Sequence, residues 1–178
     1  LTMYQLLRQT AKQYPDTVAY DFKGKKTTYK AFMEAIDAAA RGLTAMGIGK
    51  GDRVTICMPN SPQALDCFYA LNRIGAIACM IHPLSAVGEI VFYLKETGSR
   101  CVVTLDQFYD KFLEVKKQVE IPNLIIASVG DELSAVKSIG YKFINRKNSF
   151  RKYGNEAITW KDFLASGNRF YEPYLVEK

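Results

Sequence analysis

Apolar segments that recur at a regular interval constrain the fold of this chain more than any other feature. Four runs rich in Val, Ile, Leu and Cys begin about 24 residues apart, and each interval holds a segment with helical periodicity. Strands of this kind pair in parallel, because the crossover helices cover both faces of the sheet. The pattern predicts an α/β fold with three layers, a mostly parallel sheet flanked by helices. The predicted strands begin near Arg53, Ile77, Cys101 and Leu124.

The segments between and around these strands complete the predicted fold. Helices are expected at 62–74, 86–96 and 106–119, with a further one at 132–141. Two helices precede the sheet, at about 3–14 and 30–46, and a small β-hairpin at 18–29 lies between them. Thr159 is a suitable N-cap for a short last helix with Trp160, Phe163 and Leu164 on its buried side, ended by Gly167.

The basic charge of the chain raises the question of an anionic partner. There are 24 Lys and Arg against 18 Asp and Glu, a net charge of +6. Such a charge suits nucleic acid or an anionic membrane surface. Most of the bases are scattered, but residues 142–152 mix bases with aromatics, as proteins that bind single strands do. We interpret this stretch as a solvated connector and expect no nucleic-acid partner.

The cysteines and the apolar runs indicate the cellular compartment in which the chain is expected. A zinc site is not expected, because the four cysteines form no CxxC pair and there is one histidine. Three cysteines fall on predicted central strands, which fits a reducing cytoplasm. No run approaches the roughly 20 apolar residues that span a bilayer, and the early charges do not suit a signal peptide. The four are Cys57, Cys67, Cys79 and Cys101.

The glycine-rich segment 47–51 has the composition of a phosphate loop but the wrong position. A phosphate-binding loop follows a strand and opens a helix, so that the N–H groups of the helix point at the anion. This segment follows a predicted helix and precedes a strand, and Ile48 stands where a Walker lysine is needed. We interpret it as a turn.

Two loops at the carboxyl ends of predicted strands are candidate ligand sites, because open α/β sheets bind ligands at this edge. In the loop at 59–62, however, Ser61 can cap the next helix and Pro62 suits its first position. In the loop at 82–85, His82 can act as an acid or base, and Ser85 resembles a second N-cap. Both loops also have a complete structural explanation, which we favour. The sequence contains no nucleophile motif and no carboxylate metal cluster.

Several short motifs follow one another in a characteristic order. They are Thr28-Tyr29, Leu43 to Gly47, Gly51-Asp52-Arg53-Val54, Pro59-Asn60-Ser61-Pro62, Ala70, Gly75-Ala76-Ile77, Pro83, Glu89-Ile90 and Trp160-Lys161-Asp162-Phe163-Leu164. From about Tyr4 to Gly167 this order resembles the amino-terminal region of the AMP-forming acyl-CoA synthetases, which belong to the adenylate-forming superfamily. Long-chain fatty acid–CoA ligases are one candidate within it, and amino-acid-activating adenylation domains are a less similar group.

The resemblance implies a two-step reaction on a small-molecule carboxylate. ATP and Mg²⁺ activate the acid as an acyl adenylate with release of pyrophosphate, and coenzyme A then forms the thioester. The family's nucleotide loop ending in Pro-Lys-Gly is expected shortly after Lys178. Its Thr-Glu pair, ribose-binding Asp and carboxyl-terminal lysine have no counterpart in this sequence. We therefore assign no catalytic, cofactor-binding or metal-binding residue, and expect no cofactor to bind this part alone.

The expected organisation is an amino-terminal α/β subdomain at 1–167 and a linker at 168–178 toward the nucleotide-binding region. The leading hypothesis is a fragment of an acyl-CoA synthetase that is inactive alone. The alternatives are a stand-alone α/β module that binds an acyl group or a protein, and a part of an amino-acid-activating domain. Apolar surface that the rest of an enzyme would cover is expected to promote dimers.

Overall fold

A five-stranded parallel sheet forms the centre of the structure. The computed structural model describes residues 1–133, 135–149 and 151–168. The strands of the sheet are β3 (Arg53–Cys57), β4 (Ile77–Met80), β5 (Cys101–Leu105), β6 (Leu124–Ala127) and β7 (Ile158–Thr159). They lie in the order β4-β3-β5-β6-β7, and every adjacent pair is parallel. The predicted parallel sheet and four of its five strands are confirmed.

Helices cover both faces of the sheet. They are α1 (Met3–Gln13), α2 (Tyr29–Ala45), α3 (Pro62–Ile74), α4 (Val87–Thr97), α5 (Tyr109–Lys116), α6 (Ala135–Ile144), α7 (Arg146–Ser149) and α8 (Trp160–Gly167). Short 3-10 turns at 106–108 and 129–132 follow β5 and β6. Among the described residues, no helix has both the length and the apolar character needed to cross a membrane.

The two apolar cores follow from alternation along the strands. Val54 and Ile56 of β3 and Val103 of β5 pack with α2, α3 and α8 on one face. The neighbouring residues Cys57 and Val102 point the other way and pack with α4 and α5. Successive side chains of a strand point to opposite faces, so strands buried on both sides are apolar throughout. The predicted three-layer arrangement is confirmed.

A separate antiparallel hairpin stands near the amino terminus, as predicted. It consists of β1 (Val18–Phe22) and β2 (Lys25–Thr28). Its two turn residues have positive φ angles, 53° at Lys23 and 85° at Gly24. This is the backbone of a type I′ turn, whose twist matches that of the two strands. The carboxylate of Asp21 accepts a 2.8 Å hydrogen bond from the Gly24 N–H.

The structure departs from the predictions mainly after β6. The stretch that we interpreted as a solvated connector is helical over most of its described length, in α6 and α7. The helix predicted at 132–141 begins later, at Ala135, and β7 was not predicted. The helix α8 ends at Gly167, as predicted, but Cys79 lies on an edge strand of the described sheet rather than on a central one. The predicted linker lies, from residue 169 onward, outside the described residues.

Candidate functional site

Buried polar side chains gather where β3, β5 and β6 end. The register pairs Cys57 with Thr104 and Leu105 with Ala127, so the carboxyl ends of these strands lie at one edge of the sheet. Besides Ser61, which caps α3, three polar side chains beyond these ends are almost fully buried: Gln63, Asp66 and Asp106. Buried polar groups need hydrogen-bond partners, and unpaired ones in native structures often mark functional positions. We call these three residues the edge cluster.

Gln63 enters the cluster because of the way in which α3 begins. The Ser61 side chain caps α3 by accepting a 3.3 Å hydrogen bond from the Ala64 N–H, and Pro62 occupies the first position. Gln63 is therefore held in the first turn, where its Nε2 donates to the carbonyl oxygen of Ser128 at 2.8 Å. Its Oε1 has no hydrogen-bond partner among the described residues. One half of the amide thus ties α3 to the end of β6, and the other half is left unpaired.

Asp66 lies one helical turn after Gln63 and is 3% exposed. Burial, followed by the negative charge of Glu132, raises the pKa of Asp66 to about 8 against the opposing charge of Lys25. Lys25 Nζ lies 3.6 Å from an oxygen of Glu132, which links the hairpin to the segment after β6. Below about pH 8 the Asp66 carboxyl is therefore mainly neutral and can donate as well as accept a hydrogen bond.

Asp106 directly follows β5, and burial raises the pKa of its carboxyl group. Weak hydrogen bonds with the Ser128 side chain and the Gln107 backbone oppose this shift, and neither has the geometry of a full hydrogen bond. The adjoining segment after β6 is well ordered by its own bonds, since Asp131 accepts from the Ser128 N–H at 3.1 Å and the Ser128 hydroxyl accepts from the Gly130 N–H at 3.3 Å.

The first part of α6 lies against this edge of the sheet. The Ser138 hydroxyl donates to the carbonyl oxygen of Gly130 at 2.8 Å. The Tyr141 ring lies so close to Gly130 that a Cβ there would be 2.9 Å from Cδ1. The edge cluster thus consists of one amide and two buried carboxyl groups, and burial raises the pKa of both carboxyl groups. Among the described residues, no three His, Cys, Asp or Glu side chains are placed to hold a metal ion.

Comparison with known proteins assigns the family. A family model described as AMP-binding enzyme matches residues 7–160, most of the chain. The chain belongs to the AMP-binding enzyme family. A long-chain-fatty-acid–CoA ligase of Bacillus subtilis (strain 168) is 30% identical over 146 residues, which are 82% of this chain and 26% of that protein. The corresponding ligase of Salmonella typhimurium is 27% identical over 98% of this chain and 32% of its own length.

Solved structures agree with this assignment. The anthranilate CoA ligase AuaEII in complex with anthranoyl-AMP shares the fold, with a TM-score of 0.75 over 93% of this chain and 28% of that chain at 12% identity. The N-terminal domain of FACL13 from Mycobacterium tuberculosis is 27% identical, with a TM-score of 0.67 over 81% of this chain and 35% of that one. The chain therefore spans about a quarter to a third of the length of its curated relatives.

The glycine-rich segment of this AMP-binding enzyme chain is a turn whose N–H groups are used internally. The Gly49 N–H donates to Asp52 Oδ2 at 2.8 Å, and the Gly51 N–H donates to the carbonyl oxygen of Gly75 at 2.9 Å. The hydrogen bond from Gly49 lowers the pKa of Asp52, and the guanidinium group of Arg100 lowers it further. Slight burial of the carboxyl group has the opposite, smaller effect. The segment fastens β3 to the end of α3, in agreement with its interpretation as a turn.

The two candidate loops have different outcomes. Ser61 and Pro62 cap α3 as predicted. His82 is exposed, and its Nδ1 accepts a 3.2 Å hydrogen bond from the Leu84 N–H within its own loop. The prediction that Ser85 is an N-cap was wrong. The cap position is Ala86, whose N–H is bound at 2.9 Å by the side chain of Glu89.

The edge cluster was missed by the sequence analysis. Gln63 and Asp66 were predicted only as members of the helix at 62–74, and Asp106 only as the first residue of the helix at 106–119. One signal was available in the sequence. Asp66 shares a helix with the apolar residues Ala64, Cys67 and Ala70, and all three are buried. A carboxylate on the apolar face of a helix is uncommon unless it is paired or neutral. Nothing local in the sequence, however, shows that Gln63 and Asp106 lie at the same edge.

Proposed function

We propose that this chain is part of an ATP-dependent acyl-CoA synthetase that acts on a fatty acid. The observation that supports the proposal is the family match over residues 7–160, together with 30% identity to a long-chain-fatty-acid–CoA ligase over 82% of the chain. In this reaction a carboxylate oxygen of the acid attacks the α-phosphorus of ATP, and pyrophosphate leaves. The thiol of coenzyme A then attacks the acyl carbon, and AMP leaves.

The described residues supply structure to this reaction rather than its chemistry. A nucleotide with Mg²⁺ needs free N–H groups at a helix start and carboxylate ligands. In the part of the chain that the structure describes, the glycine-rich turn is already hydrogen-bonded, and no three acidic or other metal-ligating side chains come together. The N–H groups of Gly49 and Gly51 are therefore not available to the phosphates of ATP. We infer that the rest of the whole protein supplies the chemistry.

The test compares two preparations in one assay. The complete product of the gene and the 178-residue chain are each given ATP, Mg²⁺ and a panel of fatty acids, and the exchange of labelled pyrophosphate into ATP is measured. We expect acid-dependent exchange by the complete protein and none by the 178-residue chain. Adding coenzyme A should then release AMP and form the thioester with the complete protein only.

Three results would contradict parts of this proposal. If the complete protein shows no exchange with any carboxylate, the assigned reaction is wrong. If the 178-residue chain catalyses exchange by itself, the division between structure and chemistry is wrong. A reading frame that stops directly after Lys178 would favour the alternative, a stand-alone module that binds an acyl group or a protein. Omission of the acid and chelation of Mg²⁺ are the controls.

We also propose that the protein is cytoplasmic and that the 178-residue chain self-associates. The support for self-association is the number of large apolar side chains that are exposed on β4 and α4. They are Ile77, Met80, Phe92 and Tyr93. Exposed apolar patches promote association. Light scattering at high protein concentration is expected to show dimers or larger species, and a monomer at every concentration would overturn this part of the proposal.

A further inference from the structure

One face of α6 is fixed to the protein and the opposite face is not covered by the described residues. The fixed face carries Ser138 and Tyr141, which contact Gly130. The Lys137 ammonium group donates to the carbonyl oxygen of Lys23 at 2.7 Å, so α6 also lies beside the turn of the hairpin. These contacts hold the helix in one orientation and determine which side chains point outward.

The outward face of α6 is strongly apolar. Ile139 is 59% exposed, Phe143 is 75% exposed and Ile144 is 86% exposed. Ile139 and Phe143 are four residues apart and lie on the same face of the helix. Together with Lys142 and Arg146 they line a shallow groove. Exposing three large apolar side chains to water to this extent is unfavourable. We therefore expect a partner to cover this face of the helix.

The charged side chains of α6 and α7 all have one sign. Residues 135–149 contain four Lys or Arg and no Asp or Glu. The exposed bases Lys23 and Lys26 of the hairpin extend this region, because the hairpin turn lies against Lys137. The nearest acids in sequence precede α6, and one of them, Glu132, is paired with Lys25. The one acid of the hairpin, Asp21, accepts a hydrogen bond from the Gly24 N–H. A partner that covers the apolar side chains must therefore also accept several positive charges.

We propose that this face of α6 binds the surface of an anionic lipid bilayer. An interfacial helix buries an apolar face at the level of the headgroups and keeps bases beside it for anionic lipids, and α6 has both features. With ten residues it is far too short to span a bilayer, so it would lie in the plane of the surface. A second copy of the chain is a poor fit, because a symmetric contact would bring like charges together. Single-stranded nucleic acid is a poorer fit, because only one of the three exposed side chains, that of Phe143, is an aromatic ring on which a base could stack.

Sedimentation with vesicles tests the proposal on the complete product of the gene and on the 178-residue chain. Binding by the 178-residue chain alone would overturn it and assign this face to the rest of the protein. The vesicles contain phosphatidylcholine alone, or equal parts of phosphatidylcholine and phosphatidylglycerol. We expect binding to the anionic vesicles, weaker binding at high salt, and little binding to phosphatidylcholine alone. Phe143→Ser with Ile144→Ser is expected to weaken binding about tenfold, because the apolar contact is lost. Both side chains are exposed, so the double variant should remain folded by circular dichroism.

Matched variants separate the α6 face from general properties of the chain. Phe92→Ser with Tyr93→Ser removes two exposed rings from α4 and should leave vesicle binding unchanged. Lys142→Glu with Arg146→Glu should abolish binding to anionic vesicles. The same charge change made elsewhere, in Lys12→Glu with Lys161→Glu, should weaken it much less, since those exposed bases lie on α1 and α8.

Clear results would overturn the proposal. One is the absence of binding to anionic vesicles by the unmodified chain. Another is equal binding by the α6 variants and the α4 variant. A third is a change from dimer to monomer in Phe143→Ser with Ile144→Ser while vesicle binding is retained, which would assign the face to a second copy. Binding to nucleic acid without binding to vesicles would also overturn it.

Discussion

The aromatic ring of Phe163 packs directly on the backbone of Gly42. A Cβ placed on Gly42 would lie 2.6 Å from Cε2 of this ring, closer than carbon atoms can approach. Gly42 is inside α2 and Phe163 is a fully buried residue of α8. The absence of a side chain at position 42 therefore allows the last described helix to dock on the second one, and this contact closes one of the two cores.

Gly42→Ala is expected to destabilise the fold. Alanine favours a helix over glycine by about 1 kcal/mol, but overlap with a packed ring costs typically 1–3 kcal/mol or more in a tight core. We expect the free energy of unfolding in urea to fall by about 1–2 kcal/mol. Gly88→Ala in α4 is the control, because a Cβ there meets no atom within 4 Å. Equal stability of the two variants would contradict the packing argument.

Asp66→Asn is expected to change the pH dependence of stability. Burial and the negative charge of Glu132 raise the pKa of Asp66 to about 8 in the folded protein, from an ordinary value of 3.8. Between these pH values the folded state holds a proton that the unfolded chain has released, so the contribution of Asp66 to stability is lost as the pH rises. Asparagine never ionises. The free energy of unfolding of the variant should therefore rise relative to that of the unmodified chain between pH 4 and pH 8.5.

Thermal unfolding at several pH values measures this difference. A change of one pKa unit corresponds to about 1.4 kcal/mol. We expect the difference in free energy of unfolding between Asp66→Asn and the unmodified chain to change by at least this amount from the lowest to the highest pH. Asp16→Asn, at an exposed position after α1, is the control for loss of one charge. A difference between Asp66→Asn and the unmodified chain that stays constant with pH would show that Asp66 is not a buried neutral acid.

The parallel sheet could be predicted because its signals are local and repeated. Each strand from β3 to β6 is a continuous apolar run, and each following helix has its own start signal or apolar face. The strand β7 escaped prediction because it has only two residues, and its pairing with β6 is a long-range contact. The helix α6 was displaced in the prediction because its apolar residues are mainly exposed rather than placed on an inward face.

The edge cluster could not be predicted in the same way. Gln63 and Ser128 are 65 positions apart in sequence and meet only because β3 and β6 end at the same edge. The shift in the pKa of Asp66 likewise depends on Glu132, which comes from another part of the chain. Sequence periodicity reports which face of an element is buried, but not which polar groups from distant elements share that burial.

The cysteines are expected to differ sharply in their reactivity with a thiol reagent. Burial raises the pKa of Cys57 to about 11 and that of Cys101 to about 12, and it raises the pKa of the buried Cys67 as well. The thiolate is the reactive form, so these three should react slowly at pH 8. Cys79 is partly exposed on β4 and should react first.

Labelling followed by mass spectrometry checks this expectation. The folded chain should take up one label rapidly, and the chain unfolded in guanidinium should take up all four. Cys79→Ser should remove the rapid label and leave the slow ones. Rapid labelling of two or more cysteines in the folded chain would mean that a core around β3 or β5 opens far more readily than the packing indicates.

The start of α3 gives a direct comparison between a serine that caps a helix and one that does not. The hydroxyl of Ser61 accepts from the Ala64 N–H, whereas Ser85 precedes the cap position of α4. Ser61→Ala should lower the free energy of unfolding by about 1 kcal/mol, the usual cost of a lost cap. Ser85→Ala should change it by less than about 0.5 kcal/mol, as surface substitutions usually do. Urea unfolding of both variants measures the two values, and equal losses would show that the cap of α3 contributes nothing specific to holding Gln63 at the edge of the sheet.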